Sequence, residues 1–216
     1  MVELHQLVLF VIASWLLNLT PGPDVLYIVR HAAQQGMRAG LVAAAGISSG
    51  CLVHVAAAAI GVSALLAASA AAFAALKWVG AAYLLWTGIQ LLRAQPGSLA
   101  WGPKPEPTAV PSRLRKVYWG GFATNVLNPK VAIFFLAFIP QFIAPAYPHK
   151  SLAFAALGLL FTVNALPIIG LWALMGAQLS RRARWLQSHM HWLDRTAGAM
   201  FVGFGLKLAL ADRPGH

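Results

Sequence analysis

Two short stretches of the chain combine prolines with polar side chains inside apolar sequence. The first is Asn18-Leu19-Thr20-Pro21-Gly22-Pro23-Asp24, and the second is Asn125-Val126-Leu127-Asn128-Pro129-Lys130. Proline removes a backbone donor and clashes with the preceding turn, so each stretch should open or kink its helix. In lipid, backbone groups freed in this way are tolerated only inside the protein or beside a water-filled cavity. The two stretches therefore predict a polar site where the breaks meet, although a simple kink would explain either break alone.

Each break is followed by a charged side chain. Asp24 is the one acidic residue of five that lies well inside an apolar segment, and Lys130 lies near the middle of another. A charge at that depth is costly unless it is paired or solvated, so a functional role is expected. We predict that Asp24 binds a substrate ammonium group or accepts a coupling proton, and that Lys130 meets a substrate carboxylate. The structural alternatives are a pair between Asp24 and Arg30 and a salt bridge between Asp24 and Lys130.

The predicted site can be stated residue by residue. The residues predicted for substrate binding or coupling are Asn18, Thr20, Pro21, Gly22, Pro23, Asp24, His54, Asn125, Asn128, Pro129 and Lys130. His54 is included because an imidazole titrates near physiological pH and can relay protons, although a hydrogen-bonded core histidine fits equally well. Cys51 and His54 alone do not make a metal site, because ligands at a four-ligand spacing are missing. The sequence contains no nucleophile elbow, phosphate loop or zinc-protease motif, so we predict neither an enzyme nor a cofactor.

The elements that position these residues are predicted to be membrane-spanning helices. Hydrophobic residues make up 59% of the 216 residues and charged residues 10%, whereas soluble domains contain roughly 25% charged residues. A helix needs about 20 apolar residues to cross a bilayer. Six segments meet this requirement, the last only just: 4–28, 41–66, 70–92, 117–139, 152–174 and 196–211. The fold class is therefore predicted to be an all-α integral membrane protein with six transmembrane helices.

Basic residues predict the orientation of these helices. Of the sixteen Lys and Arg residues, eleven lie in the connections after the first, third and fifth segments. Cytoplasmic loops carry such an excess, so both termini are predicted to lie outside. The net charge of +11 would favour nucleic acid as a partner if it covered one face of a folded domain. Because the charges sit in short connections instead, we predict no nucleic-acid partner.

A proline-rich connection divides the chain into two halves. Residues 95–116 include five prolines and are predicted to form a cytoplasmic linker, because such sequence cannot build a core. Residues 1–94 and 117–216 each contain three predicted spans, with Pro21 and Pro129 at corresponding places. Three spans per half force a repeated half to run upside down, as in many secondary transporters. We therefore predict two inverted three-helix repeats.

With these motifs the chain resembles the LysE/RhtB family of amino-acid exporters. The resemblance covers nearly the whole chain in order. Its matching stretches are Thr20-Pro21-Gly22-Pro23-Asp24, Gly36 through Gly40, Ala45-Gly46-Ile47-Ser48-Ser49-Gly50 with His54, Gly80-Ala81-Ala82-Tyr83-Leu84 with Gly88, Asn125-Val126-Leu127-Asn128-Pro129-Lys130, Phe134-Phe135 and Pro140-Gln141-Phe142.

The resemblance implies a multi-pass protein of the bacterial inner membrane that exports amino acids or close derivatives, driven by the proton gradient. Its partners would be an amino-acid substrate, protons and the lipid bilayer, and its small-residue faces allow a homodimer. Many members of the family carry an acidic residue where this chain has Cys51, so a coupling role at that position does not transfer. A passive small-solute pore is the alternative function, and its flux would not saturate.

Overall fold

The computed structural model describes residues 4–62, 70–93, 113–144 and 147–210. Within these ranges the chain forms helices joined by short connections and contains no strand. The described α-helices are α1 (Leu4–Leu19), α2 (Pro23–Gln35), α3 (Met37–Ala57), α4 (Ala70–Arg93), α5 (Leu114–Val126), α6 (Pro129–Ile133) and α7 (Lys150–Leu210). A π-helical turn (Ala58–Val62) continues α3, and a π-helical turn (Phe134–Phe138) and a 3-10 turn (Ile139–Phe142) continue α6.

A helix break lies at each of the two predicted places. The axes of α1 and α2 differ by 52°, and those of α5 and the helical segment Pro129–Phe142 differ by 46°. Pro23 and Pro129 each stand in the first turn of the helix that follows the break. The missing N–H of proline costs nothing there, because the first amides of a helix have no intrahelical partner.

Two described helical segments are long and apolar enough to cross a membrane, Met37–Gly61 and Lys150–Gln178, and each bent pair adds one more if it forms a single span. These four correspond to the predicted spans 41–66, 152–174, 4–28 and 117–139. The predicted spans 70–92 and 196–211 fall on α4 and on the end of α7, which are not among the described candidates. The chain is thus a helical membrane protein. Its six-span topology, repeats and orientation stay predictions, and most of the linker 95–116 lies outside the described residues.

Helix α7 cannot be one straight rod. Its 61 residues would extend over about 90 Å at the normal rise of an α-helix. Phe154 and Phe201, one near each end, nevertheless belong to the same hydrophobic cluster, together with Leu84 of α4. The chain of α7 therefore turns back between Phe154 and Phe201. Its returning part packs closely against α4, where an added Cβ on Gly88 would lie 2.7 Å from the carbonyl oxygen of Gly198.

Helices α3 and α5 pack with their backbones almost in contact, and this packing positions Asn125. A Cβ added to Gly50 would lie 2.7 Å from the carbonyl oxygen of Phe122 and 2.9 Å from the Cβ of Asn125. Small residues permit such close approach between helices in lipid. The hydroxyl of Tyr118 adds a 2.7 Å hydrogen bond to Ser49 Oγ across the same interface.

We expect Gly50→Ala to destabilise the protein, because the new methyl group must push α5 away from α3. Overpacking of this kind costs roughly 1–3 kcal/mol, which in a chain of this size lowers the melting temperature by about 2–12 °C. Gly170→Ala is the matched control, since a Cβ at Gly170 meets nothing within 4 Å. Equal melting temperatures of the two variants in detergent would contradict the close packing of α3 and α5.

Candidate substrate site

The first break leaves a backbone carbonyl that the protein satisfies with a lysine. In a continuous helix the carbonyl of Leu17 would accept a hydrogen bond from residue 21, but Pro21 has no N–H. Lys130 Nζ donates to this oxygen at 2.7 Å and to the carbonyl oxygen of Thr20 at 2.9 Å. The open end of α1 is therefore closed by an ammonium group from the second half of the chain.

The neighbouring groups at this break also find donors. The carbonyl of Asn18, which residue 22 would satisfy in an unbroken helix, accepts from Trp172 Nε1 at 3.2 Å. The carbonyl of Leu16 accepts from both the backbone N–H and the hydroxyl of Thr20, at 2.9 and 2.6 Å. Helix α7 thus contributes to the break through Trp172, in addition to the contribution of α6.

The second break has a matching arrangement. Pro129 removes the donor for the carbonyl of Asn125, and His54 Nε2 lies 3.0 Å from that oxygen. Because a carbonyl only accepts, the hydrogen of His54 is on Nε2 and is donated to Asn125. The backbone N–H of Asn128 donates to the same oxygen at 2.9 Å. His54 therefore supports the second break, much as Lys130 supports the first.

Asp24 connects the two breaks. Its Oδ2 accepts hydrogen bonds from Asn125 Nδ2 and Asn128 Nδ2, both at 2.9 Å. The other end of the Asn128 side chain accepts from the backbone N–H of Lys130 at 3.0 Å, so Asn128 also caps α6. Asp24 itself lies in the first turn of α2, where the helix dipole favours a negative charge. The carboxylate is thus held by amide donors from the opposite broken helix.

Two acceptor atoms of this cluster have no protein partner. Asp24 Oδ1 and Asn125 Oδ1 are buried and receive no hydrogen bond in the described part of the chain. A buried polar atom left unsatisfied costs roughly 1–3 kcal/mol. An ionised carboxylate oxygen and an amide oxygen only accept, so the group that suits them is a donor such as an ammonium group.

A cavity of about 40 Å³ lies between the two breaks. Of the predicted site residues, those that line it are Asn18, Thr20, Gly22, Asp24, Asn125, Asn128 and Lys130. His54 contacts the site through Asn125, while Pro21, Pro23 and Pro129 create the breaks. A cavity of this size holds a small cluster of water molecules and offers less free volume than an amino acid occupies.

Sequence reasoning included His54 of α3 but missed the other residues that α3 and α7 contribute. Ser48, Cys51 and Thr162 also line the cavity. The hydroxyl of Thr162 lies 3.4 Å from Cys51 Sγ, to which it can donate. Trp172 of α7 donates from Nε1 to the carbonyl of Asn18 at the first break. Ser48, Thr162 and Trp172 carry neither a charge nor a helix-breaking residue type that would mark them within an apolar helix. In the described residues, no group of three His, Cys, Asp or Glu side chains could hold a metal ion.

These features define a class: helical membrane proteins with a polar site between two broken helices. The chain belongs to the LysE type translocator family, whose sequence model matches residues 15–212. This confirms the family resemblance seen in the sequence.

Similar curated proteins come from several bacteria. The chain is 34% identical over 210 residues to an uncharacterized membrane protein of Vibrio cholerae, covering 97% of this chain and 98% of the relative. It is 32% identical over 198 residues to an uncharacterized membrane protein of Pseudomonas aeruginosa, covering 89% of each. It is 29% identical over 205 residues to the homoserine/homoserine lactone efflux protein of Salmonella typhimurium, covering 94% of this chain and 95% of the relative. No solved structure matches the chain.

The bond between Asn128 and Asp24 predicts a pH-dependent stability defect. Asn128→Asp keeps an acceptor that can cap α6 but places a second carboxylate next to Asp24. Like charges at this distance repel strongly in a buried site, so the melting temperature should fall at pH 8. The deficit should shrink as the pH is lowered, because protonation of either carboxylate removes the repulsion.

Asn128→Ser is the control for that experiment, since it keeps a capping side chain and adds no charge. It loses the Nδ2 donor to Asp24, as the Asp variant does, but it adds no like charge. Its deficit at pH 8 should therefore be smaller than that of the Asp variant, and the difference between the two should shrink as the pH is lowered. A deficit of the Asp variant that is the same at pH 5 and pH 8 would rule out close contact between positions 24 and 128.

Proposed function

We propose that this protein is a secondary transporter that exports amino acids or close derivatives across the bacterial inner membrane by proton-coupled alternating access. The observation that carries the proposal is the Asp24 carboxylate, which lies between two broken helices with Oδ1 unpartnered. Secondary transporters commonly bind their substrates at such discontinuous helices. Membership of a translocator family supports the same class of function.

The donor and acceptor pattern supports a substrate with an ammonium group. Asp24 Oδ1 and Asn125 Oδ1 together offer two acceptors to such a group. The relative from Salmonella typhimurium is named for efflux of homoserine and homoserine lactone, both of which carry an amine. Amino acids and their derivatives are therefore the solutes we assign to this chain.

Coupling to protons follows from competition at the same carboxylate. A buried Asp24 is neutralised either by a substrate ammonium group or by a proton, and leaving it charged and unpaired is costly. Release of substrate to the outside would favour protonation of Asp24 from that side. Return of the protonated form would carry a proton inward, so each cycle exchanges substrate for protons.

Alternating access is supported by the small cavity and by the position of the breaks. The cavity of about 40 Å³ has too little free volume to hold a solute as large as an amino acid. Movement of the α1–α2 pair relative to the α5–α6 pair would enlarge it, because both pairs contribute lining residues. In this proposal the break regions act as the hinges of the cycle.

Counterflow in proteoliposomes tests the class of function and the substrate together. Vesicles loaded with an unlabelled amino acid are exposed to labelled neutral, basic or sulfur-containing amino acids, homoserine and homoserine lactone. We expect saturable, transient accumulation for one class of these solutes. Flux that neither saturates nor shows counterflow would instead favour the passive pore. Silence across the panel from folded protein would oppose an amino-acid substrate.

Asp24→Asn tests the proposed role of the carboxylate. The amide oxygen of the new side chain can still accept from Asn125 and Asn128, so folding should be preserved. Its NH₂ group would replace Oδ1 and present a donor to the substrate ammonium group. We expect counterflow to fall by at least about tenfold, since hydrogen bonds to charged groups contribute roughly 1.5–3 kcal/mol. Normal flux with an unchanged melting temperature would remove Asp24 from the mechanism.

A further inference from the structure

We propose that the Lys130 ammonium group serves as a built-in cation at the end of the broken α1 helix, in the role that Na⁺ has at broken-helix ends of some other secondary transporters. The consequence is that transport does not require an alkali cation. This inference deepens the proposed function and rests on it only where flux is measured. A measurement of stability tests the same cation site without any transport.

The ligands of the ammonium group have the chemistry of a cation site. Two backbone carbonyl oxygens at the break accept from it, those of Leu17 at 2.7 Å and Thr20 at 2.9 Å. The carbonyl end of α1 also carries the partial negative charge of the helix dipole. In many transporters with broken helices, unwound carbonyls at such a helix end coordinate Na⁺. Here two carbonyl oxygens near the end of α1 accept from a cationic group that belongs to the chain itself.

The site around this ammonium group is sheltered. Leu17 and Thr20 are buried, and both line the cavity together with Lys130. A Cβ added to Gly22 would lie 3.6 Å from Nζ, so the glycine leaves the ammonium group next to the backbone of the break. In a bilayer, carbonyls that have lost their helical hydrogen bonds need a donor or a cation to satisfy them.

The lysine is fixed at its other end to the second break. Its backbone N–H donates to the capping side chain of Asn128 at 3.0 Å, in the first turn of α6. The side chain therefore reaches from the start of one broken helix to the end of the other. Because its Nζ donates to two backbone carbonyls, Lys130 holds the two breaks together. This role differs from the contact with a substrate carboxylate predicted from the sequence.

The flux experiment compares the unmodified protein with Lys130→Ala in counterflow, with choline, Na⁺ or methylammonium as the bulk cation at equal concentrations on both sides. We expect the counterflow rate of the unmodified protein to differ by less than about twofold between choline and Na⁺. In choline, the counterflow rate of Lys130→Ala should be at least about tenfold lower than that of the unmodified protein, because the carbonyls at the break lose their donor. Methylammonium or Na⁺ should restore its flux in a saturable way.

Two outcomes of the flux experiment would overturn the proposal. One is a strong dependence of the unmodified protein on Na⁺, and the other is full activity of Lys130→Ala in choline. If the unmodified protein gives no counterflow with any solute, that failure concerns the proposed function. The cation site is then decided by stability alone.

The stability experiment measures the melting temperature of each variant in detergent with increasing methylammonium or Na⁺ chloride, and with choline chloride to control for ionic strength. Lys130→Ala should melt below the unmodified protein and regain stability with methylammonium or Na⁺ but not with choline. Lys130→Arg should keep the stability, since its guanidinium group can also donate to carbonyls.

Lys116→Ala is the matched control because it removes an exposed lysine of α5. It should show no response that is specific to either cation. If Lys130→Ala is inactive in every salt, a cation-specific rise of its melting temperature still supports the proposal. The same inactivity without such a rise overturns it.

Discussion

The centre of this protein depends on one constraint: a backbone carbonyl that proline frees inside a bilayer must find a donor within the protein. Pro21 frees the carbonyl of Leu17, which binds Lys130 Nζ at 2.7 Å. Pro129 frees that of Asn125, which lies 3.0 Å from His54 Nε2. Lys130 and His54 each lie on a different helix from the carbonyl that they contact, and the Asn125 carbonyl also accepts from the backbone N–H of Asn128. Contacts between helices therefore contribute to both breaks.

The same arrangement explains why a carboxylate is tolerated beside them. Asp24 receives two amide donors from the opposite break and lies at the start of α2, where the helix dipole favours its charge. These contacts satisfy one carboxylate oxygen and leave the other as an acceptor in a small cavity. A site that is stable but incompletely satisfied is suited to bind a donor reversibly.

Much of this site was predictable because proline acts locally. Proline inside an apolar segment breaks a helix whatever surrounds it, so both breaks could be placed from the sequence. The charges of Asp24 and Lys130 stood out because such residues are costly at that depth. The partners of Lys130 were not predictable in the same way. Its contact with a substrate carboxylate stays a prediction, and nothing in the sequence indicated that its ammonium group donates to two backbone carbonyls.

The sequence by itself determined that the chain is a helical membrane protein, where its helices break and to which family it belongs. Only the tertiary structure decided which atoms meet at the breaks. Trp172 reaches the carbonyl of Asn18 across a long separation in the chain, and Thr162 reaches Cys51. These contacts depend on how α3 and α7 pack and on how each is rotated about its axis. A helix that is apolar on all sides has no periodic sequence pattern that shows which face is turned inward. That is why the sequence located the two breaks but not the full wall of the cavity between them.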